Sequence, residues 1–442
     1  MISKAVTTVK RAKLQAGLLH FLLVCASLLF SLALFELMLR FFWTHPAEYA
    51  RATDESLFWR YDSLLGWAME PNRRGLFIRP EFQTAIATNR YGLRDDDFPV
   101  EKGEGEIRIL LLGDSVVAGF EVPRDSTLEA HLERRLNALK DGRFYQVINA
   151  GFRGYGTDQE YLFLKDRGLR FRPDVVVLAF VPANDLENNV TIHTAGRKFA
   201  KPYFLYDDAG RLTLQGVPVP YPPPQNQIYS PLLQPSSGVA KKAIPADSLP
   251  SGSRAGWMHR FKKVLSTNLY SYAFLSQRLK AAPPGVVAVL QKYGILRATT
   301  PQEWVDFYRT PVPASWEQRW RISLDLIRAI HRLCRINGVD FALWMFPLKE
   351  QVYVRDRNIF LRTYGLQPDE MDFDLPEKRL KAFCEEEGIY FIPTLNQFRQ
   401  EARRGRRLHY RTDNHFNAAG HALMADILMP ELLTMVTRRA IR

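Results

Sequence analysis

Cysteine is nearly absent, three residues in 442, and no cluster of cysteine, histidine and carboxylate stands at metal-ligand spacing. No metal is therefore expected. Cys25 sits inside an apolar run behind Val24, a residue too bulky for a lipidation site, so a lipoprotein is not expected either. Cys334 and Cys384 each lie in a helix-like stretch just before a strand-like one and read as small buried hydrophobes, with a disulfide between them left open. Zinc-finger spacings and RNP-like motifs are also missing. Although the formal charge is +13, both signs are spread along the chain, and nucleic acid is not an expected partner. No internal repeat occurs. With 46% hydrophobic and 12% aromatic residues, the chain is neither disordered nor fibrous and can bury a sizeable core.

What is present begins at the N-terminus. Lys4, Lys10, Arg11 and Lys13 precede "GLLHFLLVCASLLFSLALFELML", where only His20 and Glu36 interrupt about 20 apolar residues, enough to cross about 30 Å of hydrocarbon as a helix. The run exceeds a signal peptide's apolar core, and no small-x-small site follows, so an uncleaved anchor is expected. Basic residues stay cytoplasmic, which puts the bulk of the chain on the far side, with Arg40 and Trp43 at the outer interface.

Residues 1–16 are thus expected to be a cytoplasmic basic segment, 17–40 a transmembrane anchor and 41–105 a juxtamembrane lead-in with a strand at "FQTAIAT". From 106 to 442 strand-like and helix-like stretches alternate. "IRILLL", "YQVINAG", "VDFALWMFP" and "IYFIP" are each followed by helical periodicity, and "DVVVLAF" by a long interruption before the helical "WEQRWRISLDLIRAIHRLCRING", which predicts a parallel sheet covered on both faces. An interruption at about 187–315 contains "GVPVPYPPPQNQIYSPLLQPSSG", whose prolines forbid regular helix and central strand, then a helical "NLYSYAFLSQRLK". A partly folded insertion is expected there.

Ligands of open parallel sheets bind beyond the carboxyl ends of the strands. Ser115, Gly151, Asn184 and His415 all follow strand-like stretches. Singly, each has an ordinary structural explanation: a turn serine, a turn glycine, a helix cap, a helix-start histidine. Together they fill the roles of acyl transfer. Ser115 supplies the hydroxyl, and His415 a base suited to neutral pH. Asp413 can orient that base, and the N–H groups of Ser115 and Gly151 with the Asn184 amide can face an oxyanion. Asp114 reads as a turn or hydrogen-bonding residue, not as the acid. His193 reads as a surface histidine, and the run "RRGRRLHYR" from Arg403 to Arg411 as a solvated charged face.

In this order, "GDS" with Ser115, "NAG" with Gly151, "PAND" with Asn184 and "DNHFNAAGH" with His415, the chain resembles the SGNH (GDSL) hydrolase superfamily over about 107–430, the insertion excepted. The stretch "VINAGFRGYGTDQEYLFLKDRGLRFRPDVVVLAF" resembles membrane-anchored bacterial members associated with exopolysaccharide loci. The resemblance implies a flavodoxin-like three-layer α/β/α fold, no cofactor, and hydrolysis or transfer of ester-linked acyl groups. Acylated carbohydrate would be the substrate, and components of polysaccharide synthesis or export the partners. Two departures stand out. Pro182 replaces the glycine of the third block, and Thr412 takes the usual place of the acid, leaving Asp413 at a D-x-H spacing similar to that of alginate O-acetyltransferase-like members. The expected protein is a bacterial inner-membrane, single-pass serine esterase facing the periplasm. An O-acyltransferase using the same serine and a non-catalytic export factor are the alternatives.

Overall fold

The computed structural model describes residues 2–42, 58–192, 199–222, 265, 268–280 and 302–441, which fall into two compact units. One unit holds the helix Ile2–Phe42 and the short helix Tyr270–Lys280. The stretch Leu19–Phe42 is long and apolar enough to cross a membrane. A carboxylate at such a helix end needs a partner. Glu36 has several: it accepts the N–H groups of Tyr270 and Ser271 at 3.0 and 2.8 Å, and Arg40 pairs with it at 2.9 Å. Arg40 also donates to the Asn268 carbonyl, and Phe35 meets Phe274 edge to face.

The other unit contains all the described strands. β1 (Trp59–Asp62) pairs with β2 (Gly66–Met69), and β3 (Arg74–Arg79) with β4 (Phe82–Ala87), as antiparallel hairpins. Then come β5 (Glu106–Gly113), β6 (Phe144–Gly151), β7 (Val175–Phe180), the hairpin β8 (Tyr203–Tyr206) and β9 (Leu212–Gln215), β10 (Asp340–Met345) and β11 (Tyr390–Ile392). Five of these form one parallel sheet in the order β11-β10-β7-β5-β6, the flavodoxin-like order.

The chain steps outward from β5 to β6, then back past β5 to β7. Because parallel crossovers are right-handed, this reversal puts successive helices on opposite faces. Leu128–Asn137 packs beside Ala418–Ile441, and Thr157–Asp166 beside Ala314–Ile336. Covered on both sides, β7 is buried at every residue, which is why it reads as an unbroken apolar run. The helix stretch Ala418–Arg439 also has membrane-like length and composition, but half of it is buried, with Met424, Leu428 and Leu432 inside the core.

Two expectations change. From residue 58 onward the segment expected as a juxtamembrane lead-in belongs to the sheet unit. Phe58, Leu65, Trp67, Phe77 and Ile86 share one core with the central strands, because these aromatic and aliphatic side chains need more cover than a two-stranded hairpin provides. The insertion is divided. Residues 199–222 stay with the sheet unit, where Lys201 donates to both carboxylate oxygens of buried Asp158 at 2.7 and 2.6 Å, while Tyr270–Lys280 belongs to the helical unit. Most of the proline-rich stretch lies outside the described residues, as do His193 and Trp43. Cys334 and Cys384 are buried free thiols, and burial pushes both up to about 12.

Candidate active site

β5 ends at Gly113, and the chain turns at once into the one-turn helix Ser115–Ala118. Asp114 caps that turn, its Oδ1 accepting the Val116 N–H at 2.9 Å, as short acidic side chains do at helix starts. Gly119 closes the turn at φ +62°, a left-handed conformation that favours glycine. The orphan carbonyls beyond it are claimed by Arg94, fully buried, which donates to Ala118 O at 3.0 Å, to Gly119 O, and to Val122 O at 2.6 Å. The serine therefore sits on a turn clamped at both ends.

His415 arrives from a tight loop before the last helix, closed by the bridge between His409 and Phe416. Its Nε2 lies 2.7 Å from Ser115 Oγ, and its Nδ1 lies 2.6 Å from Asp413 Oδ1. The D-x-H spacing thus suffices to bring carboxylate and ring together. Burial alone would raise Asp413, yet its hydrogen bond to His415 and the attraction of that charge hold it down at about 2. Burial also works against a charged His415, but the nearby Glu121 carboxylate and the hydrogen bond that Asp413 accepts from the ring raise it above the usual range.

The loop is pinned by a residue with no signal in the sequence. Glu81, at the tip of the β3–β4 hairpin, accepts the N–H groups of Arg411, Thr412 and Asp413 at 2.8, 2.7 and 2.9 Å, and the Thr412 hydroxyl at 2.6 Å. Thr412, at the family's usual acid position, is thereby occupied with the hairpin. Glu81→Ala is expected to lower kcat/KM for a short acyl ester by about 10²-fold, since a displacement near 1 Å is that expensive to a reacting geometry. The melting temperature should change by only a few degrees. Parallel kinetics and thermal unfolding check this; equal losses in both would make Glu81 merely structural.

The oxyanion donors come out differently from expectation. Gly151 pairs with Gly113 across the sheet, but its N–H donates to Asn149 Oδ1 at 3.0 Å and is not available to a ligand. What position 151 requires is closeness: a Cβ there would stand 2.2 Å from the Ala118 nitrogen and 2.6 Å from the Val117 carbonyl carbon. Asn149 braces the same turn, donating to Val117 O at 3.0 Å. Gly151→Ala is thus expected to destabilise the fold by about 3 kcal/mol and to reduce hydrolysis with it, as denaturant unfolding and rate assays would show. Three residues on, Gly154 has φ +80°, and its N–H has no partner among the described residues; the same holds for the Ser115 N–H. Asn184, in the first turn of the helix Pro182–Asn188, donates from Nδ2 to Asp114 Oδ2 at 2.5 Å, leaving its second N–H. Pro182 at the helix start is pre-set for that conformation, so the missing glycine leaves Asn184 in position.

Ser115 follows β5 and Asn184 follows β7, neighbours at which the strand order reverses, the place where open parallel sheets bind ligands. Asp114 holds Asn184 and caps the serine turn, while burial raises its carboxyl. In the basic run, Arg404 and Arg406 pair with Glu401, and Arg407 with Asp356. Among the described residues no three histidine, cysteine or acidic side chains cluster as metal ligands.

The chain belongs to the GDSL-like lipase/acylhydrolase family, whose model matches residues 111–423, and so to the SGNH-type hydrolases that act on esters. No curated protein shows significant similarity to it. Similar solved structures include the acetyl xylan esterase AlAXEase, at 11% identity and a TM-score of 0.35, covering 74% of this chain and 100% of that one. A variant of Axe2, an acetylxylan esterase from Geobacillus stearothermophilus, matches at 11% and 0.34, covering 74% and 94%. TesA matches at 13% and 0.33, covering 74% and 99%. These likenesses are distant and say nothing of the substrate of this chain.

Proposed function

We propose that the protein is a serine esterase working through a Ser115 acyl-enzyme. The observation that carries this is the unbroken relay from Ser115 Oγ through His415 to Asp413, at 2.7 and 2.6 Å. His415 Nε2 takes the serine proton as Oγ attacks the ester carbonyl and returns it to the departing alcohol. Water, activated by the same nitrogen, then releases the acyl group. Asp413 holds the ring and favours the imidazolium. The N–H groups of Ser115 and Gly154 and the amide of Asn184 receive the oxyanion.

The substrate we propose is an acyl ester, acetyl foremost, on an envelope or secreted carbohydrate. Its support is the likeness of residues 147–180 to exopolysaccharide-associated members of the superfamily. For location we propose a single-pass bacterial inner-membrane protein with its hydrolase unit in the periplasm. The contacts of Glu36 with Tyr270 and Ser271 support an anchor that is retained, because cleavage after the apolar run would strip that helix of its partner. Transfer of the acyl group to a sugar hydroxyl is the second reading, favoured by the D-x-H spacing at Asp413.

The test uses the full chain in detergent. Fluorophosphonate should label the wild type and not Ser115→Ala; equal, poor labelling of both would leave a non-catalytic export factor as the better account. Incubation with an acetyl ester, with and without oligosaccharide, then separates hydrolysis from transfer by whether acetyl appears on the sugar.

A further inference from the structure

We propose that Glu121 is a second acid of the histidine, a buried positioning residue that shares His415 with Asp413 and retains its Nδ1–H when Asp413 is lost. This inference rests on the acyl-enzyme reading of the site. Glu121 lies on the segment leaving the serine turn, far in sequence from the loop that carries Asp413. Its Oε1 stands 3.6 Å from His415 Nδ1, the nitrogen that Asp413 also faces. The side chain is 1% exposed, against 26% for Asp413.

An ion pair with Arg153 does not by itself account for Glu121. Arg153 Nη1 reaches Oε1 at 2.5 Å, whereas a guanidinium serving only this carboxylate would engage both oxygens. Oε2 instead has no hydrogen-bond partner among the described residues, and a buried acceptor left empty is costly. Arg153 is held over the rings of Phe77 and Phe120. The Glu121 carboxylate thus keeps an unspent acceptor in Oε2, while Oε1, which Arg153 already engages, is the atom that faces the one group in the site that becomes positively charged during the reaction.

Every charged group facing the pair bears on the outcome. Asp413, Glu121, Asp114 and Arg153 act on the imidazole together with His409 and His421. Arg94, Tyr410 and His421 also face Glu121. Burial keeps both other histidines at about 3, so they stay neutral throughout the working range. What remains for the imidazole are the Glu121 and Asp413 carboxylates, which favour imidazolium, opposed by the Arg153 guanidinium. Since only the neutral ring can take the Ser115 proton, Glu121 sets the acid limb of the rate profile higher than Asp413 alone would.

The measurement is kcat/KM against pH for a short acyl ester, made on the full chain in detergent. Glu121→Gln should move the acid limb down by about one pH unit. Arg153→Met, which removes the opposing cation, should move it up. Asp413→Asn should lose less than about 10²-fold, where a lone orienting acid is worth about 10⁴, and the double variant of Glu121 and Asp413 should recover that full loss. An acid limb unmoved by Glu121→Gln, or a single Asp413→Asn loss equal to that of the double variant, overturns the proposal. If Glu121→Gln does not fold, Asp413→Asn alone still decides it: a loss of about 10⁴-fold, the value of a lone orienting acid, overturns the proposal. A Ser115→Ala protein as reactive as the wild type would instead remove the acyl-enzyme reading. A silent Ser115→Ala protein with an unmoved Glu121→Gln profile removes only the role of Glu121.

Discussion

Ser115→Ala is expected to lower kcat/KM for a short acyl ester by about 10⁵-fold or more, and His415→Ala by about as much, the scale seen when a nucleophile or its base is removed. The two losses should not add. Without the hydroxyl the imidazole has no proton to take, and without the imidazole the hydroxyl remains a poor nucleophile. The double variant should therefore be no slower than either single one. Both variants should keep the melting temperature of the wild type to within a few degrees, because Ser115 Oγ and His415 Nε2 bond to each other at 2.7 Å while the serine turn itself is held by Asp114 and Arg94. Ester hydrolysis, fluorophosphonate labelling and thermal unfolding measured on the same preparations check all three expectations. Additive losses would mean that serine and histidine work on different steps.

Asn184→Ala should act on kcat, lowering it by about 10² to 10³ with little change in KM, the effect of removing one oxyanion donor. The donor is useful because it is already oriented. Its amide nitrogen is held 2.5 Å from Asp114 Oδ2, and Asp114 is fixed in turn by capping the serine turn. One carboxylate therefore sets nucleophile and donor relative to each other before substrate arrives. An interaction made only in the transition state leaves KM nearly untouched. A rise in KM at constant kcat would assign Asn184 to ground-state binding instead. Asp114 also loses a hydrogen bond in this variant, so unfolding must be followed alongside the kinetics.

Much of the fold was legible because strands and helices write their periods into local sequence. All five central strands coincide with apolar runs, and β4 coincides with "FQTAIAT". Ser115 and Asn184 were legible because each follows such a run, and His415 because its motif comes last in a recognisable order, beyond the helix Leu395–Arg403. Glu81 was not. It bonds to a loop 330 to 332 positions away, and an isolated acidic residue in a hairpin turn carries no local mark of that partner. Glu121 and Arg94 escaped for the same reason: in sequence, a charged residue destined for burial looks like one bound for the surface.

The choice between Gly151 and Gly154 shows where the boundary falls. "NAGFRGYG" offers three glycines, and nothing in their order says which N–H a neighbouring side chain will consume. Periodicity and motif order alone determined the parallel sheet, its crossover helices and the set of chemical groups at one edge of it. Tertiary structure alone decided that Asn149 takes the Gly151 N–H, that a hairpin glutamate grips the histidine loop, and that a second carboxylate lies beside the imidazole. The division is physical: backbone hydrogen bonding and apolar burial are read a few residues at a time, whereas a polar contact depends on which distant segments packing brings within about 3 Å.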